Sequence, residues 1–281
     1  MQMKKKSRLR AFCAMLVFLC LLLSGCSTQK NNDGNALTIY CFEAGKADAF
    51  ALYTKNSCVL IDTGLDGFGG DVLDYLSEQG IEKVDYMIIS HFDRDHVGGA
   101  AKILKNIDVS QVYTTYYSKS SDNVDDFTSE VKDDNIKCDI VSKELSLQID
   151  GINYTLYPPE YTSYDEKESN NSSLCVMAEY KGFKMFFAGD AENERISELL
   201  DYEDIKCDVL KVPYHGHYQD LLGDLIEKCS PAFAVITSSD DIKEDDETKD
   251  LLKDNDIDYY LTRKGAITIT TDGTDTTFRQ E

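Results

Sequence analysis

Apolar residues along the chain fall in short runs and alternations rather than in long helical stripes. Runs at residues 37–42, 49–54 and 58–62 are rich in β-branched and aromatic side chains and are separated by Gly and Asn signals, the pattern of an antiparallel meander. Residues 71–78 carry helical spacing, and residues 86–89 form a short apolar strand that stops at Ser90 and His91. A helix start at 98–104, a strand at 112–113 and a polar helix at 124–132 follow. A second batch contains strands at 152–157, 174–180 and 185–188, a helix at 192–200, a strand at 209–212 and a helix at 221–228. Strands at 232–237, 259–261 and 266–271 close the pattern, and residues 163–173 form a polar loop just before a strand. Two batches of strands with helices interleaved predict an α/β fold of αββα type. In it, two sheets pack face to face with helices outside, as one domain over residues 37–281.

The first residues break this pattern. Lys4, Lys5, Lys6, Arg8 and Arg10 precede an apolar stretch at 11–23 that is short for a permanent membrane span, which is the make-up of an export signal over residues 1–25. It ends in Leu23-Ser24-Gly25-Cys26, which resembles a bacterial lipobox. The resemblance implies that Cys26 is lipidated and holds the protein on the extracytoplasmic face of the cell membrane. Residues 26–36 then serve as a polar tether.

Charge narrows the partners. The chain has 29 basic and 51 acidic residues and a net charge of −22; five of the basic residues lie in the leader and no acidic one does, so the remainder carries −27. Nucleic-acid affinity comes largely from Lys and Arg displacing counterions, so tight binding to long DNA is disfavoured. A small-molecule or cell-wall substrate is favoured, and no obligate protein partner is implied. Beyond Cys26 remain Cys41, Cys58, Cys138, Cys175, Cys207 and Cys229, none in a C-x-x-C pair. Three of them sit in apolar strand-like runs, so mostly free buried thiols are expected.

The four histidines fall in two tight pairs, His91 with His96 and His215 with His217. The segment from His91 to His96 also holds Asp93 and Asp95, four candidate ligands in six residues directly after a strand. Carboxylates and imidazoles at that density call for a cation. Gly98 and Gly99 are expected to allow a tight turn into the next helix. Asp190 follows an apolar run and Gly189, a position equally suited to a helix cap.

The run His91-x-Asp93-x-Asp95-His96-x-Gly98-Gly99 resembles a variant of the His-x-His-x-Asp-His motif of the metallo-β-lactamase superfamily, with Asp93 in place of a histidine. Ile61-Asp62-Thr63-Gly64, Phe187-Ala188-Gly189-Asp190 and Lys211-Val212-Pro213-Tyr214-His215-Gly216 follow in the family's order. FEAGKADAF at 42–50, Asn171-Ser172-Ser173-Leu174 and Gly265-Ala266-Ile267 look most similar to the soluble hydrolase-like domain of ComEC and its stand-alone relatives.

The resemblance implies two divalent metals, zinc first, with manganese or iron made more plausible by the hard Asp93 ligand. It places His91 and Asp93 on one metal, Asp95, His96 and His215 on the other, and Asp190 between them. Asp62 would orient a ligand from behind. Asn171, with Asn170 or Ser172 as alternatives, would approach the first metal, where a third histidine is missing. Asp95 would orient the attacking water and protonate the leaving group, and His217 would donate a proton or contact substrate. Arg94 and Lys211 read as surface charges before anion contacts, and Tyr113, Tyr116, Tyr117, Tyr214 and Tyr218 as structural before cleft-lining. The expected activity is metal-dependent hydrolysis, with phosphodiesters as the favoured substrate class. The alternatives are a ComEC-like nuclease of DNA uptake and a non-catalytic metal-binding lipoprotein; β-lactam cleavage is disfavoured by the scarcity of histidine.

Overall fold

Along most strands the side chains alternate between a layer shared by the two sheets and a layer under the helices, and this alternation divides the core. The computed structural model describes residues 36–133 and 135–281, all within one compact unit. The export signal, Cys26 and the tether up to residue 35 lie outside the described residues.

The first sheet contains β1 (Leu37–Cys41), β2 (Ala49–Tyr53), β3 (Cys58–Thr63), β4 (Lys83–Ile89), β5 (Asp108–Thr114) and β6 (Lys137–Ile140). The second contains β7 (Leu145–Ile149), β8 (Ile152–Tyr157), β9 (Cys175–Tyr180), β10 (Phe183–Phe187), β11 (Val209–Lys211), β12 (Phe233–Ile236) and β13 (Asp258–Leu261). The chain then returns to the first sheet with β14 (Ile267–Thr271) and β15 (Thr276–Gln280), giving the orders β15-β14-β1-β2-β3-β4-β5-β6 and β13-β12-β11-β10-β9-β8-β7. The predicted meander is present: β1, β2 and β3 pair antiparallel. From β3 to β6, and from β10 to β13, the strands run parallel.

On β1, Leu37, Ile39 and Cys41 face the second sheet, whereas Tyr40 faces helices; on β10, Met185 and Phe187 face inward and Phe186 outward. The layer between the sheets thus receives alternate residues of most strands, at about 1.5–3 kcal/mol for each large apolar side chain fully buried. Helices α1 (Gly69–Glu78), α2 (Arg94–Val97), α3 (Ala100–Asn106) and α4 (Asp122–Asp133) belong with the first sheet. Val72, Leu76, Ile103, Leu104 and Phe127 bury their apolar faces there. A short helix α5 (Glu168–Asn171) lies in the polar loop, and α6 (Asn193–Asp201), α7 (Leu222–Cys229) and α8 (Asp246–Asp254) contribute Ile196, Leu199, Leu225, Ile226 and Leu252 to the outer layer of the second sheet. The result is the four-layered αββα arrangement.

Strands β6, β7 and β15 and helix α8 are additions to the predicted set. The three strands lie at sheet edges, half exposed, and α8 buries only Thr248 and Leu252 in an otherwise charged segment, so none carries a strong apolar signal. The six cysteines in this region are free, five of them buried and Cys138 half-buried. Among the described residues no helix is long and apolar enough to cross a membrane.

Candidate metal centre

The carboxyl ends of parallel strands collect loops and helix starts, where α/β folds place chemistry. Here β3, β4, β10, β11 and β12 end around a single buried group of imidazoles and carboxylates. Asp62, at the end of β3, adopts a left-handed backbone with φ of 55°. Its carboxylate accepts hydrogen bonds from the backbone N–H of Ser90 (2.7 Å), from Ser90 Oγ (2.7 Å) and from His96 Nδ1 (2.8 Å). Ser90 Oγ also lies 3.1 Å from His91 Nδ1. Across the cleft, His215 Nδ1 lies 3.1 Å from the carbonyl oxygen of Thr237, which accepts its proton.

With Nδ1 of His91, His96 and His215 engaged from behind, each ring turns its Nε2 inward. All three Nε2 atoms are buried and have no hydrogen-bond partner. They face carboxylate oxygens without bonding to them: His96 Nε2 lies 3.3 Å and His215 Nε2 3.0 Å from Asp190 Oδ2, and His215 Nε2 lies 3.5 Å from Asp95 Oδ2. Two sets of ligand atoms, His91 with His96 and Asp190, and Asp95 with His96 and His215, each lie within 4.8 Å of one another. Buried ring nitrogens left unpaired beside anionic oxygens are a donor set that a divalent cation satisfies, so these residues fit a metal.

Local backbone shape serves this convergence. Tyr214 and His215 have φ of 48° and 53°, in the left-handed region that costs on the order of 1–3 kcal/mol for such residues and that a functional turn retains. Gly189 has φ of 56°, and a Cβ there would stand 3.0 Å from Ser173. Ser173 Oγ accepts the Asp190 backbone N–H at 3.1 Å, so the close approach fixes where that carboxylate starts.

The electrostatics are those of an acidic site with fixed counter-charges. Burial, followed by repulsion from His96, lowers the His91 pKa to about 4. Burial also opposes the charge on His96, but Asp190, Asp62 and Asp48 outweigh it and raise its pKa well above the usual histidine value. His215 is raised in the same way, against burial, chiefly by Asp190. Burial likewise opposes ionisation of Asp190, yet His215, His96 and Lys211 hold it in the carboxylate form.

Several predicted positions land elsewhere. Asn171 is not at the cluster: its Nδ2 donates to Glu166 O (3.0 Å) and Glu194 Oε2 (3.1 Å), and its Oδ1 accepts the Arg195 backbone N–H (3.1 Å), so it fastens the start of α6. Ser169 and Asn170 face the cleft instead. His217 stands outside the cluster, 3.5 Å from Asp245 Oδ1 and against the Tyr214 ring. Asp93 lies at the margin, 3.9 Å from His91 Nε2, held by Lys119 Nζ (2.7 Å) and by a short hydrogen bond from Ser169 Oγ.

Lys211 is not a surface charge. It is fully buried, with Nζ 2.5 Å from Asp48 Oδ2, 2.7 Å from the carbonyl oxygen of Gly189 and 3.4 Å from Asp190 Oδ1. Asp48, part of the 42–50 segment but with no role assigned from sequence, also accepts the hydroxyl of Thr237 at 2.6 Å. Arg195, on the helix expected over 192–200, is buried too; it donates to Ser173 O (3.0 Å), Tyr157 O (2.7 Å) and Glu198 Oε2 (2.8 Å). A lone charged residue inside an apolar run, as in Val209-Leu210-Lys211-Val212, is the signal that marks such positions. Of the tyrosines, Tyr113 packs against Tyr86 and Tyr117 stacks on Phe92, while Tyr214 lines the cleft.

Comparison with known proteins bears on this geometry. Residues 43–236 match the model of the metallo-β-lactamase superfamily. The chain is 28% identical over 168 residues to ComE operon protein 3 of Bacillus subtilis, covering 59% of this chain and 21% of that protein. It is 26% identical over 204 residues to Recombination protein 2 of Haemophilus influenzae, covering 70% of this chain and 23% of that protein. The chain thus spans less than a quarter of the length of these relatives. Among solved structures, the metallo-β-lactamase fold protein YhfI of Bacillus subtilis superposes with a TM-score of 0.58 at 10% identity, covering 84% of this chain and all of that one, which shows a shared fold.

Proposed function

Since the chain belongs to the metallo-β-lactamase superfamily, whose members are generally metal-dependent hydrolases, we propose that it is a lipid-anchored phosphodiesterase that works outside the cytoplasm. The observation that carries the reading is the convergence of three unpaired buried Nε2 atoms on Asp190.

His91, His96, His215, Asp190 and Asp95 would hold the metal, with Asp93 joining from the margin; zinc is the proposed ion. A divalent metal in such a site supplies acidity to a water molecule and charge to offset the oxygen that becomes negative. Asp62 and Thr237 fix the two rings in the tautomer that leaves Nε2 free. Asp95 is a cluster member that keeps its side chain 18% exposed, bonded to the cleft-lining Lys46. It would orient the attacking water, take its proton and return it to the leaving oxygen. Export and anchoring at Cys26 rest on the leader pattern alone and belong to the same reading.

The test is metal content by mass spectrometry together with hydrolysis of bis-p-nitrophenyl phosphate by the wild type, Asp95→Ala and His96→Ala. Bound metal with turnover that both variants lose supports the reading. Bound metal without turnover of any phosphoester replaces it with a metal-binding module. A second reading, action on nucleic acid, is favoured by the likeness to Recombination protein 2. Cleavage of a single-stranded oligonucleotide faster than bis-p-nitrophenyl phosphate would select it.

A further inference from the structure

The cleft above Asp190 brings two lysines together in an otherwise strongly acidic chain. The cleft encloses about 370 Å³ and is lined by Lys46, Lys167, Ser169, Asn170 and Tyr214 together with Asp93, Glu168 and Asp190. Two ammonium groups therefore open onto it in a chain with nearly twice as many acidic as basic residues. Lys46 is held in place: its Nζ lies 3.0 Å from Asp95 Oδ2 and 5.6 Å from the centroid of the Tyr214 ring, and its side chain is 22% exposed. Lys167 sits at the entry to α5 with φ of 49° and ψ of 42°, and is solvent-exposed at the cleft rim. The same turn carries Ser169, whose hydroxyl donates to Asp93, and Asn170, whose amide donates to Glu192 at 2.6 Å.

As the residues stand, the acidic groups of the cleft outnumber the lysines by one. Asp190 and Asp95, the partner of Lys46, belong to the proposed metal ligand set and Asp93 stands at its margin, so a bound dication offsets these carboxylates and leaves the ammonium groups to face an incoming anion. A cleft with low-dielectric walls focuses that charge on an anion entering from solvent.

We propose that Lys46 and Lys167 form an anion subsite that binds a phosphate group of the substrate beside the metal centre. The inference rests on the phosphoesterase reading and deepens it, because it states which part of the substrate the chain grips. The phosphate has two sources: the diester under attack, or a second phosphate elsewhere on the same molecule. Lysine binds either as a point charge, without a fixed bidentate geometry.

The experiment uses the metal-loaded chain, with Lys46→Gln, Lys167→Gln and the charge-retaining Lys167→Arg. Substrates are bis-p-nitrophenyl phosphate, the p-nitrophenyl ester of thymidine 5′-phosphate with and without a 3′-phosphate, and the neutral ester p-nitrophenyl acetate. Each Gln variant is expected to raise KM for the phosphoesters about tenfold; Lys167→Gln, at the rim, is expected also to keep its metal content and to leave the neutral ester unaffected, and Lys167→Arg retains the wild-type KM. Equal rises for all three phosphoesters assign the lysines to the diester under attack, and a rise confined to the 3′-phosphorylated ester assigns them to a second phosphate. Unchanged KM in both Gln variants, or an equal loss with the neutral ester in Lys167→Gln, overturns the subsite. Calorimetric binding of inorganic phosphate separates this failure from that of the hydrolase reading. If the wild type cleaves none of the esters but binds phosphate about tenfold more tightly than Lys167→Gln, the subsite stands and the hydrolase reading falls. If it binds phosphate no better than the variant, the subsite falls as well.

Discussion

The two sheets supply one cluster by opposite means. The first sheet delivers His91, Asp93, Asp95 and His96 from a single segment after β4, oriented by one carboxylate, Asp62. The second sheet delivers Asp190 and His215 from two separate turns, each with left-handed backbone and each braced by buried charge: Lys211 under Asp190, Arg195 behind Ser173, and Glu244 against Gly216. A group of ligands close in sequence needs little beyond its own turn. Ligands far apart in sequence need a scaffold of ion pairs to meet.

Removing a ligand from each side tests whether the halves are equal partners at the centre. His96→Ala and Asp190→Ala should each lower metal affinity by more than the ~10–100-fold usual for outer partners, read by competition with a chelating dye. Next in size, Lys211→Met removes the buried ammonium that pairs with Asp48 and Asp190 and leaves only the two histidines to oppose their charge. It should cost about 3–5 kcal/mol of stability in urea unfolding of the metal-free chain, and less in the metal-loaded chain, because a cation replaces the lost charge. The first-sheet counterpart, Asp62→Asn, should lower metal affinity about 10–100-fold with a smaller loss of stability; the reverse order of stabilities would dissolve the contrast.

The bracing of the second sheet also has a pH signature. Burial would raise the Glu244 pKa, but hydrogen bonds from Arg263 and Ser238 hold it at about 2. A lowered folded-state pKa contributes stability that is complete above about pH 5 and is lost as pH falls toward 2. Thermal melts of wild type and Glu244→Gln across that window should converge at the acid end. The smallest effect belongs to His217→Ala, which should alter metal content little and stability by less than about 0.5 kcal/mol, because the ring lies outside the cluster. A loss of turnover in this variant at unchanged metal content would return His217 to the chemistry.

The same contrast explains what the sequence discloses. The alternating strands and the crowded segment from His91 to His96 are local patterns; His91, Asp95 and His96 lie in the cluster and Asp93 stands at its margin. Asp190 and His215 are recognisable only through the order of motifs along the chain, since a lone Asp after a glycine is equally a helix cap. Asp48, Lys211 and Arg195 escape a local reading because their burial depends on partners distant in sequence: Lys211 meets Asp48 from the opposite sheet, and Arg195 meets Tyr157 and Ser173. Asn171 misleads for the related reason that a polar side chain beside a cleft can be used up by a neighbouring helix.

Gly98 and Gly99 sit at the seam where the turn after β4 meets the end of β3. Gly98 has an ordinary helical backbone, with φ of −57°, so conformational freedom is not its use. A Cβ on Gly98 would stand 2.4 Å from the backbone nitrogen of Asp66, and one on Gly99 would stand 2.4 Å from the carbonyl oxygen of Thr63 and 2.9 Å from the backbone nitrogen of Gly69. Backbone lies against backbone there without a side chain between. In a saturation library these two positions should behave as an almost binary filter, passing glycine and rejecting even alanine, although neither offers an atom to a metal or a substrate.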